Sequence, residues 1–324
     1  MPNGAILINT LALQEAKDSS AIENIITTQD DLYRSDNARR VYQSAAAKEV
    51  HNYASALRTG FETVRKSGLI TLNDILSIQS CIEENNAGFR RLPGTKLQNG
   101  GTGEIVYTPP QNPDEILSLM GGLERFINDK PRNDWDPLTR MCLIHHRFES
   151  IHPFYDANGR TGRVINVLYL VKEGLLGSPV LYLSRYINRN KADYYRLLQS
   201  VRDTGEWEAW LLFMIRGVEQ TSLGTTDLIR GIKAQMASCK ETLKSRAPKL
   251  YSHDLINNLF RYPYTKIDFL VDDLSVTRKT ASKYLESLVD LGLVLKVKAG
   301  KENYYLNTAL FDLLSGTSPR GEKA

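Results

Sequence analysis

The sequence predicts a mainly α-helical chain that is interrupted by one β-hairpin and ends in a small domain of helices and short strands. Three observations predict it. Apolar residues recur at helical intervals through most of the first ninety positions and again from Asn112 to Ser245. The cluster Asn99-Gly100-Gly101-Thr102-Gly103 lies between apolar stretches, which is the turn chemistry of a hairpin. Beyond Ala247-Pro248 the pattern changes to shorter helical and alternating segments, as at a domain boundary.

In order, Leu11, Ala12, Ile22, Ile25 and Ile26 give a helix between Thr10 and Tyr33 with Glu23 near its middle. A longer helical pattern runs from Asn37 to Lys66, and Thr71 caps a third helix carrying Ile75, Leu76, Ile78 and Ile82. Phe89, Leu92 and Leu97, then Ile105, Val106 and Tyr107, flank the glycine cluster. That cluster lacks the Lys-Ser/Thr of a P-loop and the strand-to-helix setting of a dinucleotide fingerprint, so it reads as a hairpin turn. Asn112-Pro113 starts a helix through Ile127, and Pro137 to Ser150 forms another. Leu181 to Asn188, Asp193 to Leu198 and Trp207 to Val218 are accounted for by two more helices, and Asp227 to Ser245 by a charged connecting helix. After it come helices from His253 to Phe260 and Lys266 to Asp273, then a third from Ser275. Strands Val294–Lys298 and Tyr304–Leu306 follow, and a loose tail begins at Ser315. Three helices and a two-stranded wing resemble a winged-helix domain, whose third helix would present Thr277, Arg278, Lys279, Ser282 and Lys283 to DNA.

A chain of 324 residues holds two domains of about 100–200 residues. With 42% hydrophobic and 24% charged residues it is ordinary globular material, and a net charge of +4 does not argue for nucleic acid or an anionic membrane as partner. Cys81, Cys142 and Cys239 make no CxxC pair or metal spacing, and an odd count suits a reducing compartment. No run reaches membrane-spanning length, so a cytoplasmic protein is expected.

The chemistry concentrates in His152-Pro-Phe-Tyr-Asp-Ala-Asn-Gly-Arg-Thr-Gly-Arg163, followed at once by apolar Val164, Ile165, Val167, Leu168, Leu170 and Val171. That order reads as a loop opening into a buried helix. The first helical turn has unpaired N–H groups and the positive end of the macrodipole, and Gly159 and Gly162 let an anion approach closely. Arg160 and Arg163, three apart, share one face and reach the same anion. His152 is placed to take a proton from a nucleophile beside it, and Asp156 suits Mg²⁺, a hard cation that prefers a carboxylate with phosphate oxygens. His145 and Glu149 share a helix face, but a zinc site would also need His152, for which the loop has a better use.

At every defined position the string resembles the Fic family signature, His-x-Phe-x-Asp/Glu-Gly/Ala-Asn-Gly/Lys-Arg-x-x-Arg. Arg147-Phe-Glu-Ser-Ile, Leu-Ser-Arg-Tyr-Ile and Tyr-Tyr-x-x-Leu ahead of Trp-x-x-Trp extend the resemblance over most of the first 245 residues. It implies an α-helical core with a β-hairpin flap and transfer of AMP from ATP to a Ser, Thr or Tyr hydroxyl of a target protein. His152 would be the general base, Asp156 the Mg²⁺ ligand and Phe154 the loop's anchor. Asn158, Gly159, Arg160, Thr161, Gly162 and Arg163 would bind phosphates, with Arg160 on the β- and Arg163 on the γ-phosphate. Tyr194, Tyr195, Leu198 and Arg202 would form the adenine pocket, and Ile105, Val106, Tyr107 and Thr108 the flap that takes the target as an added strand. Ser19-Ser-Ala-Ile-Glu23-Asn24 fits the family's inhibitory pattern Ser/Thr-x-x-x-Glu-Gly/Asn, which makes Glu23 an inhibitor expected to reach Arg163. The implied division is an N-terminal region with inhibitory motif and flap over 1–110, a catalytic core over 111–246 and a winged helix over 250–314. Rival readings are another phosphate donor, removal of AMP, or a DNA-binding regulator. Self-modification and a homodimer are further expectations.

Overall fold

Thr71 shows how local chemistry sets the helices. Its side chain accepts the Asp74 N–H while Asp74 accepts the Thr71 N–H at 2.8 Å, a capping box that starts α4 at Leu72. The structure is a computed structural model and describes residues 4–35, 41–129, 134–299 and 302–316. Before α4 come α1 (Gly4–Ile22), α2 (Gln29–Arg34) and α3 (Ala45–Ser67), and α4 itself runs Leu72–Glu83. The hairpin pairs β1 (Leu97–Gln98) with β2 (Ile105–Tyr107) in antiparallel register, Leu97 opposite Tyr107. Helices α5 (Pro113–Asn128) and α6 (Pro137–Ile151) each begin with proline at a first-turn position, behind the side-chain caps Asn112 and Asp136. Then follow α7 (Asn158–Lys172), α8 (Leu183–Arg189), α9 (Lys191–Thr204) and α10 (Glu208–Arg246).

Three sequence expectations change. Glu23 is not in the middle of a helix, because α1 stops at Ile22. Ile25 N–H bonds to Ser20 O and Asn24 N–H to Ala21 O, with Asn24 at φ 63°, the paired bonds of a Schellman stop. The helix expected from Asn37 begins at Ala45, where the alanine run raises helix propensity, and residues 37–40 of that expectation lie outside the described ones. The segments ending at Val218 and beginning at Asp227 are one continuous helix of 39 residues, which absorbs Gly217 and Gly224.

The described elements form two compact units, each discontinuous in sequence. One unit comprises Glu15–Thr27 and Ala45–Leu223. Its centre is α7, which packs against α3, α4 and α6 and is buried on every side from Arg160 to Leu170. Each Leu or Ile buried there contributes about 1.5–3 kcal/mol, while Arg160, Thr161, Arg163 and Asn166 bring polar groups into the same enclosure.

The other unit joins Met1–Gln14 and Thr28–Ser44 to Gly224–Ala324. Its later elements are α11 (His253–Arg261), β3 (Tyr264–Thr265), α12 (Ile267–Leu274), α13 (Arg278–Asp290), β4 (Leu295–Ala299), β5 (Glu302–Leu306) and α14 (Thr308–Ser315). The sheet is antiparallel in order β3-β5-β4, so the expected two-stranded wing gains a third strand. The Thr28–Ser44 segment attaches through Asp30, which accepts from Tyr264 Oη at 2.6 Å, and through Arg34, whose guanidinium lies 5.2 Å from the Tyr264 ring centre. Of the residues expected to face DNA, Thr277 caps α13 and Arg278 pairs with Asp268. Asn307 caps α14, which extends order to Ser315, and residues 317–324 of the expected loose tail lie outside the described ones. Among the described residues no helix is long and apolar enough to cross a membrane.

Candidate active site

The signature loop is bounded by two residues in left-handed conformation, His152 at φ 48° and ψ 59° as the C-cap of α6, and Ala157 at φ 62° and ψ 21° as the N-cap of α7. Non-glycine residues rarely adopt it, and surrounding bonds must hold it. Pro153 disfavours a helical backbone at His152, which ends α6 there. The His152 N–H bonds to Phe148 O at 2.9 Å, and Arg90 Nε donates to the His152 carbonyl at 2.8 Å. Phe154 is fully buried against Phe89 and Phe148 and anchors the loop. Asn158, expected among the phosphate-binding groups, closes the loop instead. Its Oδ1 accepts the Phe154 N–H and its Nδ2 donates to Phe154 O, both at 2.8 Å.

The two signature arginines turn to different carboxylates rather than to one shared point. Arg160 bonds Glu49 at 3.0 Å and Glu83 at 2.7 Å, with Asp156 at 3.7 Å. Arg163, 2% exposed, donates from Nε to Ser19 Oγ at 2.8 Å and from Nη2 to Ser19 O at 3.1 Å and Glu23 Oε1 at 2.9 Å. A Cβ on Gly159 would collide with Glu23 Oε1 and with Arg163 Nη1, so the carboxylate lies directly over the first turn of α7. One on Gly162 would come within 2.8 Å of Glu149 Oε1 and 3.1 Å of Phe148, so that glycine is what lets α7 approach α6. Thr161, expected with the phosphate set, is fully buried.

Burial governs the titrations. It pulls His152 down to about 4, helped by the cations Arg90 and Arg202, so the imidazole is neutral at pH 7. It likewise lowers His145 to about 3 and His146 to about 4. Glu149 is pushed up to about 7 by burial against the opposing pull of Arg163. For Glu23, burial acts upward, but the Arg163 guanidinium together with Arg160 and Lys191 outweighs it, and the carboxyl lies below its ordinary value. A carboxylate so depressed contributes stability that is complete above its unfolded pKa and lost as the pH falls through the folded one. The Tm difference between the protein and Glu23→Gln is expected to hold steady near neutrality and close on acidification through the carboxylate range. A difference that widened in acid would contradict the pairing.

The expected adenine set does not share one surface. Tyr194 is buried, with its hydroxyl 2.9 Å from His145 Nε2 and its ring beside Trp210. Leu198 is buried too, and its carbonyl meets His146 Nε2. Tyr195 is 43% exposed, and its ring packs edge-on against that of Tyr194 at 5.1 Å. Arg202 bonds Ser150 Oγ and Glu149 O and stacks on Tyr107 at 3.9 Å, so it faces the hairpin. In the hairpin Ile105, Val106 and Thr108 are exposed, whereas Tyr107 is half-buried and donates to Ser150 O at 3.0 Å. No group of three His, Cys, Asp or Glu placed to hold a metal occurs among the described residues.

The groups missed by sequence reasoning are Arg90, Glu49 and Glu83. None has a spacing relation to the signature, since their partners lie far along the chain. Ser19 was detectable, as the first residue of the Ser-x-x-x-Glu pattern.

Family models match three stretches: Fic/DOC family N-terminal over 1–62, Fic/DOC family over 69–170, and Protein adenylyltransferase SoFic-like, C-terminal domain, over 235–310. The chain is similar to Protein adenylyltransferase Fic of Aedes aegypti, 31% identical over 163 residues that make up 49% of this chain and 30% of the relative. With the protein of the same name from Drosophila grimshawi the identity is 29%, over 47% of this chain and 29% of the relative. It thus spans less than a third of the length of these curated relatives. Among solved structures, a Fic family protein from Desulfovibrio desulfuricans G20 superposes with a TM-score of 0.57 at 19% identity, covering 98% of this chain and 89% of the other. Fic-1 of C. elegans gives 0.54 at 20% identity, over 70% and 66%. At such identities the structures speak for the fold, and the Fic/DOC family match over 69–170 includes the signature. The chain is a member of the Fic/DOC family.

Proposed function

We propose that this protein transfers AMP from ATP to a hydroxyl of a protein target, and that Glu23 restrains the transfer. The observation that carries the reading is the Glu23 carboxylate, held on Arg163 over Gly159, where the first turn of α7 would take an anion. The relatives named adenylyltransferase support the same chemistry.

In this reading the target oxygen attacks the α-phosphorus, its proton passes to His152, a bond forms between that oxygen and phosphorus, and pyrophosphate leaves. His152 Nδ1 is buried, so Nε2 is the nitrogen open to the hydroxyl. The N–H groups of the first turn of α7 and the Arg163 guanidinium bind the phosphates, a service of position and charge that dominates such reactions. Arg160, held by Glu49 and Glu83, stands beside them for the β-phosphate. Asp156 fits Mg²⁺. Its side chain is 76% exposed, and only Oδ1 is engaged, accepting the Ala157 N–H at 2.6 Å. One carboxylate completed by phosphate oxygens is the donor set this ion prefers, and when bound it would neutralise charge on the triphosphate. Ile105 and Val106 expose an apolar hairpin edge for an extended target segment.

The test is incubation with labelled ATP, GTP or CTP in turn, followed by mass spectrometry of the labelled protein, self-modification included. AMP attached to a side-chain hydroxyl supports the reading. Label from another nucleotide only, or AMP released from a modified protein without transfer, would replace it with another donor or with AMP removal.

Arg163→Ala, made in the Glu23→Gly background so that the Glu23 carboxylate is not left without its partner, is expected to weaken apparent ATP affinity. A hydrogen bond to a charged group contributes about 1.5–3 kcal/mol, so the loss should be about 10- to 100-fold. Unchanged affinity would remove Arg163 from the triphosphate site.

A further inference from the structure

Arg90 is 1% exposed, and no carboxylate pairs with it among the described residues. A buried guanidinium without a counter-ion is costly and is retained where its fork has a specific task. Here the fork is spread over backbone carbonyls. Nε donates to His152 O at 2.8 Å, while Nη2 donates to Pro110 O and, at 3.4 Å, to Ile151 O. The Arg90 N–H also bonds to Pro153 O at 2.8 Å. Arg90 lies just before the hairpin and Pro110 just after it, so one side chain ties both ends of the hairpin to the residue bearing the base.

Two further links run between the same parts. Tyr155 Oη accepts the N–H groups of Arg91 and Leu92 at 2.9 and 3.1 Å, and Tyr107 donates to Ser150 O. The hairpin thus cannot shift along the chain direction without moving His152, and Arg90 is the only one of these anchors that holds the His152 carbonyl itself.

We propose that Arg90 is a positioning residue for transfer, fixing the left-handed backbone of His152 and the target-binding hairpin in one register so that a bound hydroxyl meets the base. This rests on the adenylyl-transfer reading above. Burial does most to lower the affinity of the His152 ring for a proton, and Arg90 adds to it, together with Arg202 and against Glu23. Removing the cation should therefore raise the pKa of His152.

The test compares Arg90→Lys and Arg90→Met in the Glu23→Gly background. Arg90→Lys keeps a charge but loses the fork, so kcat is expected to fall about 100-fold, the scale of a small misplacement, with the KM for ATP nearly unchanged. Its acid limb of the pH profile should stay in place. Arg90→Met should show the same kcat loss and an acid limb moved to higher pH, matched by a higher His152 pKa in NMR titration of the ring. An unchanged kcat in Arg90→Lys would overturn the proposal, as would a fall in ATP affinity that accounts for the whole loss. Should Arg90→Met fail to fold, Arg90→Lys alone decides. If the Glu23→Gly parent carries no transfer activity, it is the adenylyl-transfer reading that fails. The NMR titration then still reports whether Arg90 acts on His152.

Discussion

Glu23→Gly is expected to raise self-modification and target transfer by about 100-fold while changing apparent ATP affinity much less. With Glu23 in place, the Arg163 guanidinium is occupied by a carboxylate at 2.9 Å and by Ser19 on its other edges. ATP entering beside it would lack a partner for its terminal phosphate and would bind with the α-phosphate turned from the incoming hydroxyl. Misorientation of a bound reactant costs turnover more than it costs binding. Glycine is also compatible with the fold at this position, since Glu23 lies at the Schellman stop rather than inside α1. Glu23→Gln should activate less, because the amide still crowds Gly159. Labelled-ATP time courses at fixed protein concentration check both.

His152→Ala should lower transfer about 10²–10⁴-fold, the usual contribution of a general base, and leave ATP binding intact. The reason is geometric. In the proposed reaction the phosphates would lie on the first turn of α7, whereas His152 caps α6. A neutral imidazole is ready for that role at pH 7, because burial and the cations Arg90 and Arg202 hold its pKa near 4. Titration of ATP binding alongside the rate measurement separates the two effects, and near-normal turnover in the variant would take His152 out of the reaction.

Much of this site was legible because its chemistry is compressed into twelve consecutive residues. The loop-to-helix order follows from local rules about helix starts, and so do the caps Thr71 and Asn112, whereas Gly162, read as an opening for an anion, faces Glu149 and Phe148 of α6. The illegible parts depend on contacts across the fold. Asn158 looks like any polar group at a helix start, and only the path of Phe154 shows that its amide closes the loop. Tyr194 and Tyr195 are adjacent and chemically alike, yet one is buried against His145 and the other exposed. Arg90 donates to carbonyls about sixty residues away, a relation with no period to detect. The end of α1 was readable in principle from Asn24, a residue that tolerates the left-handed conformation, but apolar Ile25 and Ile26 continued the helical pattern past it.

The measurement that bears most directly on control by Glu23 of chemistry at His152 is one time course with labelled ATP, run on the unsubstituted protein, Glu23→Gly and Glu23→Gly/His152→Ala. The expected result is a nearly idle protein, an active single variant and a double variant returned to the idle level with ATP still bound. Equal rates for the unsubstituted protein and Glu23→Gly would contradict the restraint, and activity persisting in the double variant would contradict the role of His152.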